Sequence, residues 1–173
     1  MVKVFTLGLS SIKTAAIPSS GEMAADSDLT QLGLTNQNSA NLNMEVPENT
    51  EFNAEEQEDP VLISRRAGAV TVEFDLMNPS PEDMVTLMGG TASKSSPELQ
   101  ENDQWEPPVD VPSIERAIKV TPKQGFGIAI PRADITATFG GTYTKTELML
   151  VHVVARVMAP TNANTKRFKL FKV

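Results

Sequence analysis

Residues 69–90 read AVTVEFDLMNPSPEDMVTLMGG, a strand pattern that runs through a turn into a helix pattern. Every second residue from Val70 to Leu76 is apolar and the residues between them are polar or charged. Because side chains alternate between the two faces of a strand, this spacing predicts a strand over residues 69–77 with one buried face.

The helix pattern that follows carries signals at both ends. Asn78-Pro79 disfavours continued regular structure, Ser80 suits the N-cap, and Pro81 suits the first helical position, where its missing N–H costs nothing. Two acids in the first turn match the helix dipole, and two glycines follow Met88. We therefore predict a helix over residues 81–88, too short to be stable unless it docks on a sheet.

The rest of the chain is dominated by strand patterns, which predicts a mainly β (α+β) fold. We expect one domain, residues 1–173, built as a β-sandwich or barrel of two packed antiparallel sheets, with one short flanking helix. Long loops are predicted at 18–38, with a helical turn near 23–29, and at 47–59 and 91–112. Further strands are predicted at residues 2–17, 40–46, 60–64, 114–120, 126–131, 133–139, 145–158 and 168–173. The strand at 145–158 carries apolar residues on both faces, which predicts a central strand buried on both sides.

The composition argues against catalysis. The chain has no cysteine and a single histidine, His152, set among apolar residues, where a structural role is the expected one. No metal-ligand spacing, phosphate-binding glycine loop or nucleophile motif occurs. We therefore expect neither an enzyme nor a cofactor. We also expect no transmembrane segment and no secretory signal peptide, because no apolar stretch is long enough and Lys13 interrupts the early one.

Charge is distributed unevenly along the chain. The formal net charge is -7, and residues 1–60 hold two lysines against ten acids. One candidate functional segment is an acidic loop that could dock on a neighbouring subunit or let nucleic acid slide past without binding: Glu48, Glu51, Glu55, Glu56, Glu58 and Asp59. The other is a basic C-terminal segment for contact with a neighbouring subunit: Lys166, Arg167, Lys169 and Lys172. Solvated loops explain both patterns equally well. Trp105, alone among prolines, is predicted to anchor its loop.

The order of these elements resembles the tail tube (major tail) proteins of long-tailed bacteriophages, which share a fold with the tube proteins of type VI secretion and contractile injection systems. The resemblance covers residues 41–160. It rests on the strand at 40–46, the loop at 47–59, the strands through 60–77, the helix with its two following glycines, and the late strands. It is a likeness of pattern, and the segment MNPSPEDMVTLMGG carries most of it.

The resemblance implies a structural subunit that forms hexameric rings stacked into a hollow tube. Strands of neighbouring subunits would join into a continuous inner barrel, and the loop at 47–59 would reach the adjacent ring. Partners would be copies of the chain and other tail proteins, with DNA passing through an acidic lumen without specific binding. The protein would be made in the host cytoplasm and reside in the virion tail. Alternatives are a tube protein of a type VI or contractile system, a monomeric ligand-binding β-sandwich, and a capsid decoration or head–tail connector protein.

Overall fold

Twelve strands and one helix make up the described part of the chain. The computed structural model describes residues 5–93 and 103–173. The elements are β1 (Leu7–Ala15), β2 (Thr30–Gln31), β3 (Asn41–Met44), β4 (Glu48–Phe52), β5 (Leu62–Arg66), β6 (Val70–Leu76), α1 (Pro81–Met88), β7 (Thr91–Ser93), β8 (Gln104–Glu106), β9 (Ile114–Gln124), β10 (Phe126–Gly140), β11 (Leu150–Val157) and β12 (Lys169–Lys172). The fold is mainly β, as the sequence predicts.

Eight strands form one large antiparallel sheet. Its order is β2-β1-β9-β10-β11-β6-β3, and β12 also pairs with β10. The pairs β4–β5 and β7–β8 form two separate small sheets. The two packed layers predicted from sequence are therefore two halves of one continuous sheet, which share β9 and β10. Side chains from both halves, among them Ile12, Phe74, Ile130 and Val153, meet in a single core.

A bulge in β10 makes this folding-over possible. Between Ile130 and Ala133 three steps along β10 oppose two steps along β9, so one extra residue is accommodated there. Pro131 lies in this bulge, where the absence of an N–H is tolerated. On its other edge β10 pairs with β12 before the bulge and with β11 after it. The sequence-based division into strands at 126–131 and 133–139 is thus wrong, because Pro131 bends one long strand without ending it.

Arg132 fixes the bulge through a bidentate ion pair with Glu115. Its Nε and Nη2 donate to the two carboxylate oxygens of Glu115 on β9, at 2.7 and 2.8 Å. Its Nη1 donates to the carbonyl oxygen of Ala159, and its own carbonyl accepts from the N–H of Met158, just after β11. The hydrogen bond from Arg132 lowers the pKa of the Glu115 carboxyl from its ordinary value. One side chain therefore ties β9, β10 and the end of β11 together.

The segment over residues 30–36 links the two ends of the sheet. β2 pairs with β1, and the Leu32 N–H donates to the carbonyl of Ile12. A few residues later the N–H of Asn36 donates to Asp75, and the N–H of Met77 on the other side donates to Leu34. The same short segment thus bonds to β1 and to β6, and it gives the sheet its barrel-like closure.

Helix α1 occupies the residues predicted for it, with the predicted cap. The Ser80 hydroxyl accepts from the N–H of Asp83 at 3.1 Å, and the Asp83 carboxylate accepts from the N–H of Ser80 at 3.0 Å. Gly89 and Gly90 both adopt positive φ at its end. Met84 and Leu87 are buried in the core, and the helix packs on β9 and β10. A capped eight-residue helix is thus held in place by the sheet, as its length requires.

Several loop and strand predictions were wrong. Residues 48–52, expected in a loop, form β4, because this polar stretch pairs with β5. Residues 91–93 and 104–106 of another expected loop pair as β7 and β8, while 94–102 lie outside the described residues. Residues 23–29 contain a turn and no helix. β11 starts only at Leu150, and its face with His152 and Arg156 is exposed, so the strand is central in the sheet but buried on one side.

The Glu115 carboxylate gives the first testable prediction. The folded state lowers the pKa of this group, so its contribution to stability is present above the pKa of the unfolded chain, about 4.3, and is lost as pH falls through the lower folded value. We expect Glu115→Gln to lower the urea midpoint at pH 7. The difference from the wild type should shrink towards zero near pH 3. Glu22→Gln, at an exposed position, is the control and should show no such pH-dependent difference.

The capping box gives a second prediction. Ser80→Ala leaves the N–H of Asp83 without its acceptor, and we expect a loss of about 1 kcal/mol in the free energy of unfolding. Ser80→Thr keeps an oxygen at the same position and should recover most of the loss. Chemical denaturation of the wild type, Ser80→Ala and Ser80→Thr measures the free energy of unfolding. Equal stability of all three proteins would show that the cap is energetically unimportant.

Candidate functional site, an exposed hairpin arm

The feature that stands apart from the core is the β4–β5 hairpin. We call residues 47–67 the arm. Five residue pairs form its ladder, from Glu48 opposite Arg66 at the base to Phe52 opposite Leu62. The N–H of Val61 donates to the carbonyl of Phe52, which extends the pairing towards the tip at residues 53–60. All ten ladder residues are exposed, and the arm contributes no side chain to either hydrophobic cluster.

The arm presents apolar side chains to solvent on both faces. Phe52 and Leu62 lie opposite each other on one face and are 52% and 60% exposed. Ile63 lies on the other face, opposite Glu51, and is 43% exposed. An isolated two-stranded hairpin is at best marginally stable in water, because it has no second layer to bury its side chains. The arm therefore has the composition of a segment that is completed by contact with another surface.

The six acidic candidate residues all lie on the arm. Glu48 and Glu51 belong to β4, and the other four, Glu55, Glu56, Glu58 and Asp59, are clustered at the tip. All six are exposed. Within residues 5–93 and 103–173 none of these carboxylates has a hydrogen-bond or ion-pair partner. All six acids thus lie on one hairpin, and two of them lie on a strand where the sequence predicted a loop.

The basic candidate residues are distributed over two places. Lys169 and Lys172 lie on β12, opposite Ala129 and Phe126 of β10, and Lys166 is exposed in the preceding loop. Arg167 lines a cleft of about 460 Å³ at the base of the arm. The structure thus separates the C-terminal cations, and only one of the four residues contributes to this cleft.

The cleft brings together three arginines from different parts of the chain. Arg66 comes from the end of β5, Arg156 from β11 and Arg167 from the loop before β12. Glu45 and Glu48 also line it, and the Glu45 carboxylate accepts from the N–H of Ala69 at 3.1 Å. In the described part of the chain none of the three guanidinium groups has an ion-pair or hydrogen-bond partner. Sequence analysis missed Arg66 and Arg156, and nothing in their local sequence indicates that Arg156 lies beside Arg167.

A second, more apolar cavity opens between the sheet halves. It has a volume of about 790 Å³ and is lined by residues of β1, β3, β9, β10, β12 and the segment around residues 31–38. Leu42 on β3 and Leu170 on β12 both line it and are 41% and 49% exposed. Within the described residues β3 pairs with β6 alone and β12 with β10 alone. Each of these two strands therefore has one unpaired backbone edge.

Trp105 lies on β8 and contacts the end of the helix. Its indole Nε1 donates to the carbonyl oxygen of Gly89 at 2.8 Å, and its ring packs against the core. A side chain added at Gly90 would collide with the carbonyl oxygen of Glu106, so glycine is required where β7 and β8 approach the helix. Trp105 therefore links the β7–β8 hairpin to the C-terminus of α1.

Two further pairs of titratable groups form structural contacts. His152 Nδ1 lies 2.7 Å from Asp75 Oδ1 on the exposed face of neighbouring strands β11 and β6. Lys119 forms a salt bridge with Asp26, which lowers the pKa of that carboxyl, and its Nζ lies 5.0 Å from the centroid of the Phe171 ring. Among residues 5–93 and 103–173, no cluster of three or more histidine or acidic side chains could hold a metal ion.

No protein-family model matches the chain, and no curated protein sequence matches it.

In the part of the chain that the structure describes, no helix is long and apolar enough to cross a membrane.

The arm yields a third testable prediction. In the unassembled subunit, amides of β4 and β5 should exchange with deuterium close to the rate of an unfolded chain, because local opening of an unsupported hairpin costs little free energy. Amides of the buried strand β6 should exchange at least about a hundredfold more slowly, because their opening requires much of the core to unfold. Hydrogen-exchange mass spectrometry of the monomer checks this. Protection of β4 and β5 equal to that of β6 would show that the arm is stable without a partner.

Proposed function

We propose that the chain is a non-enzymatic structural subunit that assembles with copies of itself into stacked hexameric rings, forming the hollow tail tube of a long-tailed bacteriophage. DNA would pass through the lumen without specific binding, and other tail proteins would close the tube at its ends. The protein would be made in the host cytoplasm and end in the virion. The observation that carries the proposal is the arm, an exposed hairpin whose apolar side chains have no partner surface within the described residues.

The two unpaired strand edges support lateral assembly. β3 and β12 are different strands with different side chains, so pairing the β12 edge of one copy with the β3 edge of the next would be a heterologous contact. Contacts of this kind repeat in one direction and close into a ring when the rotation allows. Ring closure would also remove exposed edges, which otherwise favour uncontrolled aggregation.

The arm supports contact along the tube axis. Its acidic tip and the apolar residues Phe52 and Leu62 lie beyond the base of the hairpin, so it can reach a surface that the rest of the subunit does not touch. A net charge of -7 disfavours association of identical chains unless local patches are complementary. The same geometry suits the tube of a contractile or type VI system, which a neighbouring sheath gene would favour.

The large cavity favours a second candidate function. A volume of about 790 Å³ and an apolar lining that includes Leu9, Ile12, Val72 and Ile128 fit a binding protein for a small apolar ligand. In this alternative the protein would act as a monomer. Imaging the purified protein by negative-stain electron microscopy separates the two candidates. Rings or tubes with a central hole would support the tube. A monomer at every concentration, with a melting temperature raised by small apolar ligands, would favour the second candidate.

The lateral contact gives a fourth prediction. The N–H of Val173 donates to the carbonyl of Gly125, the residue just before β10, so by alternation the N–H of Lys172 points to the unpaired edge. Lys172→Pro removes that outward donor and leaves the bonds to β10 in place. We expect the variant to keep the melting temperature of the wild type within a few degrees and to lose ring formation.

Lys172→Gln is the matched control for this experiment. It removes the same charge and keeps the N–H, so rings should still form. Electron microscopy and mass photometry of both variants provide the measurement. Rings formed equally well by Lys172→Pro would exclude strand pairing at this edge of β12.

A further inference from the structure

The three arginines at the base of the arm have no assigned role in the fold. Each comes from a different element, and in the described part of the chain none is neutralised by a hydrogen-bonded carboxylate. Glu45 also lines the cleft, but its carboxylate accepts from the backbone N–H of Ala69. Guanidinium groups recognise carboxylates with two parallel hydrogen bonds, so this cleft is suited to an acidic peptide segment.

We propose that the arginine cleft, formed by Arg66, Arg156 and Arg167, binds the acidic tip of the arm of a second copy of the chain. This inference rests on the proposed self-assembly and identifies the surface that receives the arm. The tip supplies four carboxylates within five residues, Glu55 to Asp59, and no basic residue occurs between Glu45 and Ser64. The two surfaces are therefore complementary in charge.

The tip cannot reach the cleft of its own subunit. Four residue steps lead from the base pair Glu48–Arg66 to the last ladder pair Phe52–Leu62, a length of about 13 Å at roughly 3.3 Å per step. The acidic tip lies beyond that pair, and the ladder holds it away from the base. Each chain thus carries one acidic tip and one basic cleft at opposite ends of the same hairpin. Contact between them must join different copies, head to tail, and can repeat without limit.

The two glutamates in the cleft disfavour phosphate as its occupant. Glu45 and Glu48 line the same space, and their negative charges would oppose a doubly charged phosphate group concentrated at one point more strongly than carboxylates that are spread along a peptide and paired one by one with the arginines. The cleft therefore favours a peptide carboxylate.

A charge exchange between two full-length variants tests the proposal. Variant one carries Arg156→Glu and Arg167→Glu in the cleft, and variant two carries Glu56→Lys and Glu58→Lys in the tip. In each variant alone, the tip of one copy and the cleft of the next carry charges of the same sign and repel each other. We therefore expect self-association at least about tenfold weaker than that of the wild type. In an equimolar mixture the acidic cleft of the first meets the basic tip of the second. The unchanged tip of the first meets the unchanged cleft of the second. Association should recover to within about threefold of the wild type.

The control has the same net charge as variant one. Lys123→Glu with Lys145→Glu changes two exposed cations away from the cleft and should associate like the wild type. Sedimentation velocity at low ionic strength measures association, and circular dichroism melting shows that each variant is folded. A control weakened as much as variant one would overturn the proposal, because net charge alone would then explain the loss.

The outcomes separate this inference from the proposed function. If the wild type assembles and both variants assemble equally well, the cleft proposal is overturned while the tube proposal stands. If the wild type forms no rings but the mixture associates where neither variant does alone, the cleft proposal stands and the tube proposal fails. If variant one loses binding of sodium tripolyphosphate, measured by calorimetry, and the mixture does not associate, the cleft is a phosphate site and the proposal is overturned.

Discussion

The ion pair between Arg132 and Glu115 holds the point from which the whole sheet divides. β10 pairs with β12 before residue 131 and with β11 after it, and a regular strand cannot pair with both unless it bends. Pro131 and the extra residue of the bulge permit the bend, but they do not set its angle. The two hydrogen bonds from Arg132 to Glu115 fix the bulge against β9, and the bond to Ala159 fixes the chain leaving β11. The direction of the path to β12, and with it the position of Arg167, depends on this contact.

Sequence reasoning worked best where one local pattern carried the whole signal. The bounds of α1 were correct because the cap residues, the apolar stripe and the terminal glycines agree within eleven residues, 80–90. β6 was correct because strict alternation leaves one choice of buried face, and the burial of Val70 to Leu76 follows it. Such elements need little information from the rest of the chain.

The errors arose where distant pairing decides the structure. β4 is polar, and its composition predicts a loop, but a partner strand ten residues later, β5, supplies hydrogen bonds to its backbone. A proline ends a strand in most contexts, but at Pro131 a bulge supported by Arg132 lets the strand continue. The candidate site shows the same limit. The acidic tip is contiguous in sequence and could be recognised, whereas the arginine cleft combines residues 66, 156 and 167, which only the folded sheet brings together.

The position of the arm along the chain links the two proposed contacts of the assembly. β3 ends at Met44 and the arm's first strand begins at Glu48, so three residues join an unpaired edge strand to the hairpin. Those residues include Glu45, which bonds to the N–H of Ala69 and lines the arginine cleft. A neighbouring strand on the edge of β3 would order this junction, and with it the base of the arm and the cleft. Ring closure would then reduce the conformational entropy still to be lost when an arm docks, so that rings would stack more readily than single subunits.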